Sequence, residues 1–293
     1  MSNTTTPAEL AQIFFSYTFH FTPGVAASII PLVGFAIMSL VSLILNVMHA
    51  RNFKTMYIVT FSGFWEVIGY TARLYISMNT DQKQSIMPYM IYVFFVLLTP
   101  IFLALVNYRA VGVVLRIINK PVSLGIFKLQ PHQTTKFFFT SDCITLMIQG
   151  GGGGMLAIQN DTLNKMGLAI ASTGIAIQLI FFAAFVWVII SARTNSDFWT
   201  PLTEKLPTAK YVFAGLCWTI SMLFVRNVYR LVEFCISSGT FILPYLEWTF
   251  FVFESLVILS AFVGYSVFHF GRLFEAQAIE DAGKPRLELE QTA

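Results

Sequence analysis

Seven long runs of mostly apolar residues leave this chain little choice of fold. They fall at about 25–48, 56–77, 86–117, 134–159, 164–191, 209–236 and 243–271. A helix needs about 20 such residues to cross the hydrocarbon core of a bilayer. Inside lipid every backbone N–H and C=O must find its partner within the protein, which helices achieve. Only 11% of residues are charged, where a soluble domain carries about 25%. The expectation is an all-α fold: a seven-transmembrane-helix bundle forming a single polytopic domain over 1–293, with a solvated tail at 272–293. No basic segment followed by a small-residue cleavage site precedes the first run, so no cleaved signal peptide is expected. Cys143, Cys217 and Cys235 all lie inside apolar runs and have neither disulfide-framework nor metal-ligand spacing.

Direction follows from the basic residues between the runs. With the N-terminus outside, inner segments hold a dozen Lys and Arg, among them Arg51, Lys54, Arg116, Lys136 and Arg193; the outer side holds only Lys83 and Lys165. Positive charge accumulates on the cytosolic side. The N-terminus is therefore expected outside and the C-terminus inside. The sequons at Asn3 and Asn160 fall on the same outer side.

Nine ionisable residues interrupt the apolar runs: Glu66, Arg73, Arg109, Asp142, Arg226, Arg230, Glu233, Glu247 and Glu254. Each costs about 2.5–3.5 kcal/mol at the bilayer centre. Together that approaches ~25 kcal/mol, more than a typical net stability of about 5–15 kcal/mol. Five acids against four arginines point to an internal polar network. Glu66 and Arg73 are separated by two helical turns, or about 10 Å, so each should reach another helix. Arg226, Arg230 and Glu233 share a face. Arg230 can pair with Glu233 within the helix, but two arginines one turn apart require a further anion, and Glu247 and Glu254 are its natural sources. Arg109 lies near an inner helix end, where it can snorkel. The network either fixes which helix packs on which or also receives a ligand.

Five consecutive glycines, Gly150–Gly154, sit in the fourth run beside Gln149. Glycine costs about 1 kcal/mol relative to alanine in a helix, but lets helices in membranes approach closely. The stretch either packs tightly or unwinds beside a cavity, because exposed irregular backbone is excluded from lipid. Gln149 and Gln178 lie near mid-membrane and can act as interhelical glue or as ligand contacts. His49 and His269 end the first and seventh runs; they are the candidate haem ligands in a chain from which no cofactor or metal is otherwise expected. No GxxxxGK[ST] phosphate loop is present. No nucleophile or metal set accompanies the buried acids, so an enzyme is not expected. The absence of a lysine in the seventh run argues against a retinal-type receptor.

The chain resembles the fungal lipid-translocating exporter family, named for members that confer resistance to aminocholesterol. The resemblance rests on "EVIGYTAR" (Glu66, Gly69, Tyr70, Arg73), "FFTSDCITLMIQGGGGG" (Phe138, Asp142, Gln149, Gly152, Gly153) and "GIAIQLIFFAAF" (Gly174, Gln178, Phe185). It extends through "VRNVYRLVE" (Arg226, Arg230, Glu233), "EWTFFVFE" (Glu247, Glu254) and the helix-end His49 and His269. These motifs run in order from about 49 to 270. The chain departs from the family at Glu254, where an aspartate is usual, and at Val113, which replaces an arginine, with Arg116 three residues on. The resemblance implies a plasma-membrane protein that exports or translocates amphipaths: sphingoid bases, sterol-like toxins or phospholipids. One branch is associated with porphyrin and haem. The expected substrate contacts are Glu66, Tyr70, Arg73, Asp142, Gln149, Gln178, Arg226, Arg230, Glu233, Glu247 and Glu254, around a charged cavity open to the outer leaflet. The expected partners are membrane lipids or amphipathic small molecules, not nucleic acid. A receptor for lipid-like ligands and a porphyrin-binding transporter are the alternatives.

Overall fold

The computed structural model describes residues 24–49, 53–79, 86–118, 122–124, 127–129, 131–156, 161–236 and 247–274. Asn3, Asn160, the side chains of Cys235 and Glu247, and nearly all of the expected tail lie outside them.

Among the described residues there are seven long helical segments. The first five are α1 (Val25–His49), α2 (Tyr57–Met78), α3 (Ile86–Ile118), α4 (Pro131–Leu156) and α5 (Asp161–Thr194). A short α6 (Ser196–Lys205) precedes α7 (Ala209–Ile236). The last segment is compound: α8 (Glu247–Phe250) passes through a π-helical turn at Phe251–Leu256 into α9 (Val257–Val267). One further turn, α10 (Phe270–Leu273), follows.

The helix boundaries agree with the apolar runs to within a few residues, but three features depart from the expectation. A small antiparallel hairpin pairs β1 (Val122–Leu124) with β2 (Phe127–Leu129), so the fold is helical with one short sheet. In addition, α6 occupies what reads as a polar connection. Its start is set by Asn195, whose side chain accepts from the Asp197 backbone N–H at 2.9 Å, satisfying a donor that a helix start leaves open. Finally, the seventh run is broken by the π turn and ends at residue 267.

Among the described residues five segments are long and apolar enough to cross a membrane: Val25–His49, Met87–Ile117, Lys165–Thr194, Ala209–Glu233 and Trp248–Leu273. Helices α2 and α4 fall outside that set. Glu66, Arg73 and small polar residues dilute α2; Asp142, Gln149 and the glycines dilute α4.

The burial pattern of α1 reverses that of a soluble helix. Its buried residues include Ser28, Ser39, Ser42 and Asn46, whereas Ile37, Leu40, Ile44 and Val47 are exposed. Lipid accepts the apolar face, and the polar side chains turn inward for partners. Ser42 and Thr60 hydroxyls meet at 3.0 Å. The Asn46 amide donates to Thr60 Oγ1 at 2.7 Å and to the Met56 carbonyl at 2.9 Å. Close contact is possible because Gly63 faces Ser39: a Cβ there would lie against the hydroxyl.

Consecutive long helices pack on one another, and α9 returns to α1. Helix α3 is tied to the last two segments: Thr219 donates to Asn107 at 3.0 Å, and Tyr265 donates to the Leu103 carbonyl at 2.8 Å.

The glycine stretch is unbroken helix within α4, which decides between the two alternatives in favour of packing over unwinding. Tight packing holds for one residue alone. A Cβ on Gly152 would fall 2.6 Å from Ala171 N and 2.7 Å from Gly167 O on α5, whereas one on Gly150, Gly151, Gly153 or Gly154 meets nothing within 4 Å. Helical periodicity turns one of the five toward the neighbouring helix and leaves the others outside the contact.

Candidate functional site

Helix α7 presents Arg226 and Arg230 one turn apart on its inner face. Opposite them, the π turn carries Glu254. A π turn holds an extra residue per turn, and here the adjacent Glu254 and Ser255 are both buried. Glu254 receives both arginines. Its Oε1 accepts from Arg226 Nε at 3.1 Å, Arg226 Nη2 at 2.8 Å and Arg230 Nη2 at 3.0 Å, while Oε2 accepts from Arg230 Nε at 2.9 Å. Arg230 Nη1 also donates to Glu233 Oε2 at 3.2 Å. The arginine pair thus finds its additional anion in one carboxylate held by two guanidinium groups. Charge-assisted hydrogen bonds of this kind are the strong ones.

Helix α2 adds two further charges. Glu66 and Arg73 are each 1% exposed. Arg73 donates to the Tyr92 hydroxyl on α3 at 3.1 Å and lies over the Phe250 ring, 4.8 Å from its centroid. Arg230 approaches the same ring at 5.8 Å, so Phe250 joins the two cations through cation–π attraction. Glu66 bonds Thr99 of α3 and lies within electrostatic reach of Glu254, Arg226 and Arg230. Its other oxygen, Oε2, is buried without a hydrogen-bond partner. Between them, Tyr70 joins α2 to the π turn, its hydroxyl 2.6 Å from Ser255 Oγ. Glu66 and Arg73 therefore do reach another helix, and residues from α2, α3, α7 and the last segment meet in one buried cluster.

This cluster contains three arginines and three acids. It is balanced when Glu66 is ionised and carries an excess positive charge when Glu66 is protonated. It is rimmed rather than sealed: Arg226 and Glu254 are 4% and 1% exposed, Arg230 and Glu233 18% and 25%. The Arg230–Glu233 end is partly exposed, whereas the Arg226–Glu254 end is buried.

The other expected site residues lie elsewhere. Asp142 on α4 accepts from the Tyr108 hydroxyl on α3 at 2.6 Å, and the Tyr108 ring packs on Phe138 and Phe185. Its Oδ1 is buried and unpartnered. Gln149 donates to Gln178 at 2.8 Å, a bridge between α4 and α5. None of these three joins the arginine cluster. His269 Nε2 lies 2.9 Å from Asn46 Oδ1, and its ring centroid lies 6.0 Å from that of His49. Among the described residues no three His, Cys, Asp or Glu side chains gather as a metal site.

Sequence reasoning missed Tyr92, Thr99, Phe250 and Ser255 at the cluster and Tyr108 beside Asp142. A hydroxyl or aromatic residue in an apolar run is too common to stand out. Asn46 did leave a signal, as the one asparagine inside the first run.

The fold and this cluster define a class: a polytopic helical membrane protein with a buried arginine–carboxylate network. The RTA1-like protein family matches residues 59–277, and the chain belongs to it. It is 24% identical to Protoporphyrin uptake protein 1 of Saccharomyces cerevisiae, over 88% of this chain and 93% of that one. It is 28% identical to Protein RTM1 of Saccharomyces cerevisiae, over 76% of this chain and 73% of the relative. No solved structure matches.

Proposed function

We propose that the protein is a non-enzymatic transporter of amphipaths with charged headgroups, crossing the plasma membrane seven times with its N-terminus outside. The observation that carries this reading is the rimmed ion cluster. Glu254 anchors both arginines from the buried side, and Arg230 exchanges Glu233 for a phosphate or carboxylate at the half-exposed side. Glu233, partly exposed at that end, also accepts an amine, as in a zwitterionic headgroup or a sphingoid base. The apolar part of the substrate stays in lipid, which removes the need for a large closed chamber. Protonation of Glu66 raises the net charge of the cluster and favours entry of an anion, so the driving force is a substrate or proton gradient.

A dicarboxylic porphyrin has the same chemistry as an acidic lipid: a broad apolar body with carboxylates. The name of the relative Protoporphyrin uptake protein 1 supports including porphyrins among the candidate substrates. The test uses purified protein reconstituted in vesicles, with a fluorescent phospholipid, a sphingoid base and a porphyrin as separate probes. Arg230→Ala should reduce flux of the true substrate about 10- to 100-fold, the worth of a charged hydrogen bond of about 1.5–3 kcal/mol. Unchanged flux of every probe in a correctly inserted variant refutes the proposal; binding without flux favours a receptor.

A further inference from the structure

We infer that the lipid-facing surface of α4 and α5 holds a second binding site, for the acyl chain of an anionic phospholipid in the leaflet that contains Lys136. A groove of about 630 Å³ runs along these helices, lined from Gln133 and Lys136 at one end to Ile148 and Ile177 at the other. It shares no residue with the arginine cluster.

Its shape follows from the sequence. Ser141 and Thr145 lie one turn apart and form a low floor between bulkier walls, Phe137 and Ile144 on α4 and Phe181 on α5. Both floor hydroxyls turn back to their own helix: Ser141 donates to the Phe138 carbonyl at 2.7 Å and Thr145 to that of Asp142 at 3.0 Å. Both hydroxyl hydrogens are thereby taken up, so these two side chains offer no free donor to a visitor. Phe137 and Phe181 meet edge to face at 5.9 Å, which bridges the two walls.

Length and charge select the occupant. From Lys136 to Ile148 the helix rises about 18 Å, slightly more than the ~15 Å depth of one leaflet's hydrocarbon. The groove therefore matches a single chain lying along the helix. Among the described residues Lys136 is the one charged lining residue and no acid lines the groove; Lys136 stands at the end nearest the start of α4. A cation at the mouth of an apolar channel of this length complements an anionic headgroup above its own chain. On the distribution of basic residues, that mouth opens to the cytosolic leaflet, where anionic lipid is concentrated.

The experiment reconstitutes the full chain in vesicles of phosphatidylcholine, alone or mixed with phosphatidylserine, with a photoreactive acyl-chain analogue of either lipid. Labelled peptides are then mapped. Phosphatidylserine should label residues 133–148 and the facing part of α5 in preference to phosphatidylcholine. Lys136→Gln should reduce that preference about fivefold, as expected for one basic residue near the surface. Thr140→Trp fills the groove from an exposed position and should reduce labelling by both lipids. Equal labelling of the groove by the two lipids, or an unchanged preference in monodisperse Lys136→Gln protein, overturns the proposal.

Discussion

Replacing Glu254 with alanine should damage this protein more than any other single change in the charged cluster. Glu254 is 1% exposed and accepts four hydrogen bonds from two arginines. Its removal leaves Arg226, 4% exposed, with only a 3.4 Å contact from Nη1 to the neighbouring Asn227 among the hydrogen bonds described. Breaking a buried ion pair by deleting one partner costs about 3–5 kcal/mol, because the remaining charge is desolvated without compensation. Glu233 provides the contrast. It makes a single contact with Arg230 at 3.2 Å, three residues away on the same helix, and the two side chains are 25% and 18% exposed. A pair of that kind contributes about 0.5 kcal/mol. Carrying over the unfolding entropy of soluble domains gives about 0.6 kcal/mol per degree for a chain of this size. Glu254→Ala should therefore lower the melting temperature in detergent by roughly 5–8 °C, and Glu233→Ala by about 1 °C. A double variant, Arg226→Leu with Glu254→Leu, removes both charges and leaves Arg230 with Glu233. It should be more stable than the sum of its single variants by at least ~2 kcal/mol. If Glu254→Ala melts no lower than Glu233→Ala, Glu254 is not the anchor of the cluster, and the assignment of a rigid and an exchangeable end fails.

The glycine run offers a test with opposite signs. Gly152→Ala drives a methyl into the α5 backbone and should destabilise by about 1–3 kcal/mol, whereas Gly151→Ala and Gly153→Ala should be neutral or stabilising by up to ~1 kcal/mol; thermal melts of the three variants decide it. Tyr108→Phe leaves Asp142 with neither oxygen hydrogen-bonded and should cost about 1–3 kcal/mol; Tyr108→Phe combined with Asp142→Leu should recover most of that in the same assay. Asn46→Ala removes the amide that joins α1, the Met56 carbonyl, Thr60 and His269, and should destabilise by about 2–3 kcal/mol, with faster proteolysis between α1 and α2 as a second readout.

Two elements show where a sequence reading succeeds and where it stops. On α7, spacing alone places Arg226, Arg230 and Glu233 on one face, allows the Arg230–Glu233 pair and demands one more anion. On α4, the resemblance groups Asp142 and Gln149 with the arginines as substrate contacts, and the structure separates them. Asp142 turns to Tyr108, Gln149 to Gln178, and Gly152 to α5. Spacing identifies the face of a helix but not the neighbour that face meets. That depends on how the helices are ordered around α3. The π turn was equally hidden, because a single extra residue per turn leaves no mark in an apolar run.

The sequence by itself determined that this chain is a bundle of lipid-embedded helices with most of its intramembrane charges turned inward. Backbone groups and ions in hydrocarbon have few other affordable states, so apolar length and the count of buried charges were enough. Only the tertiary structure decided which charge meets which, where the helix holding Glu254 winds differently, and where a groove remains on the outer surface. Those outcomes depend on packing between residues far apart in the chain, which periodicity along one helix does not encode.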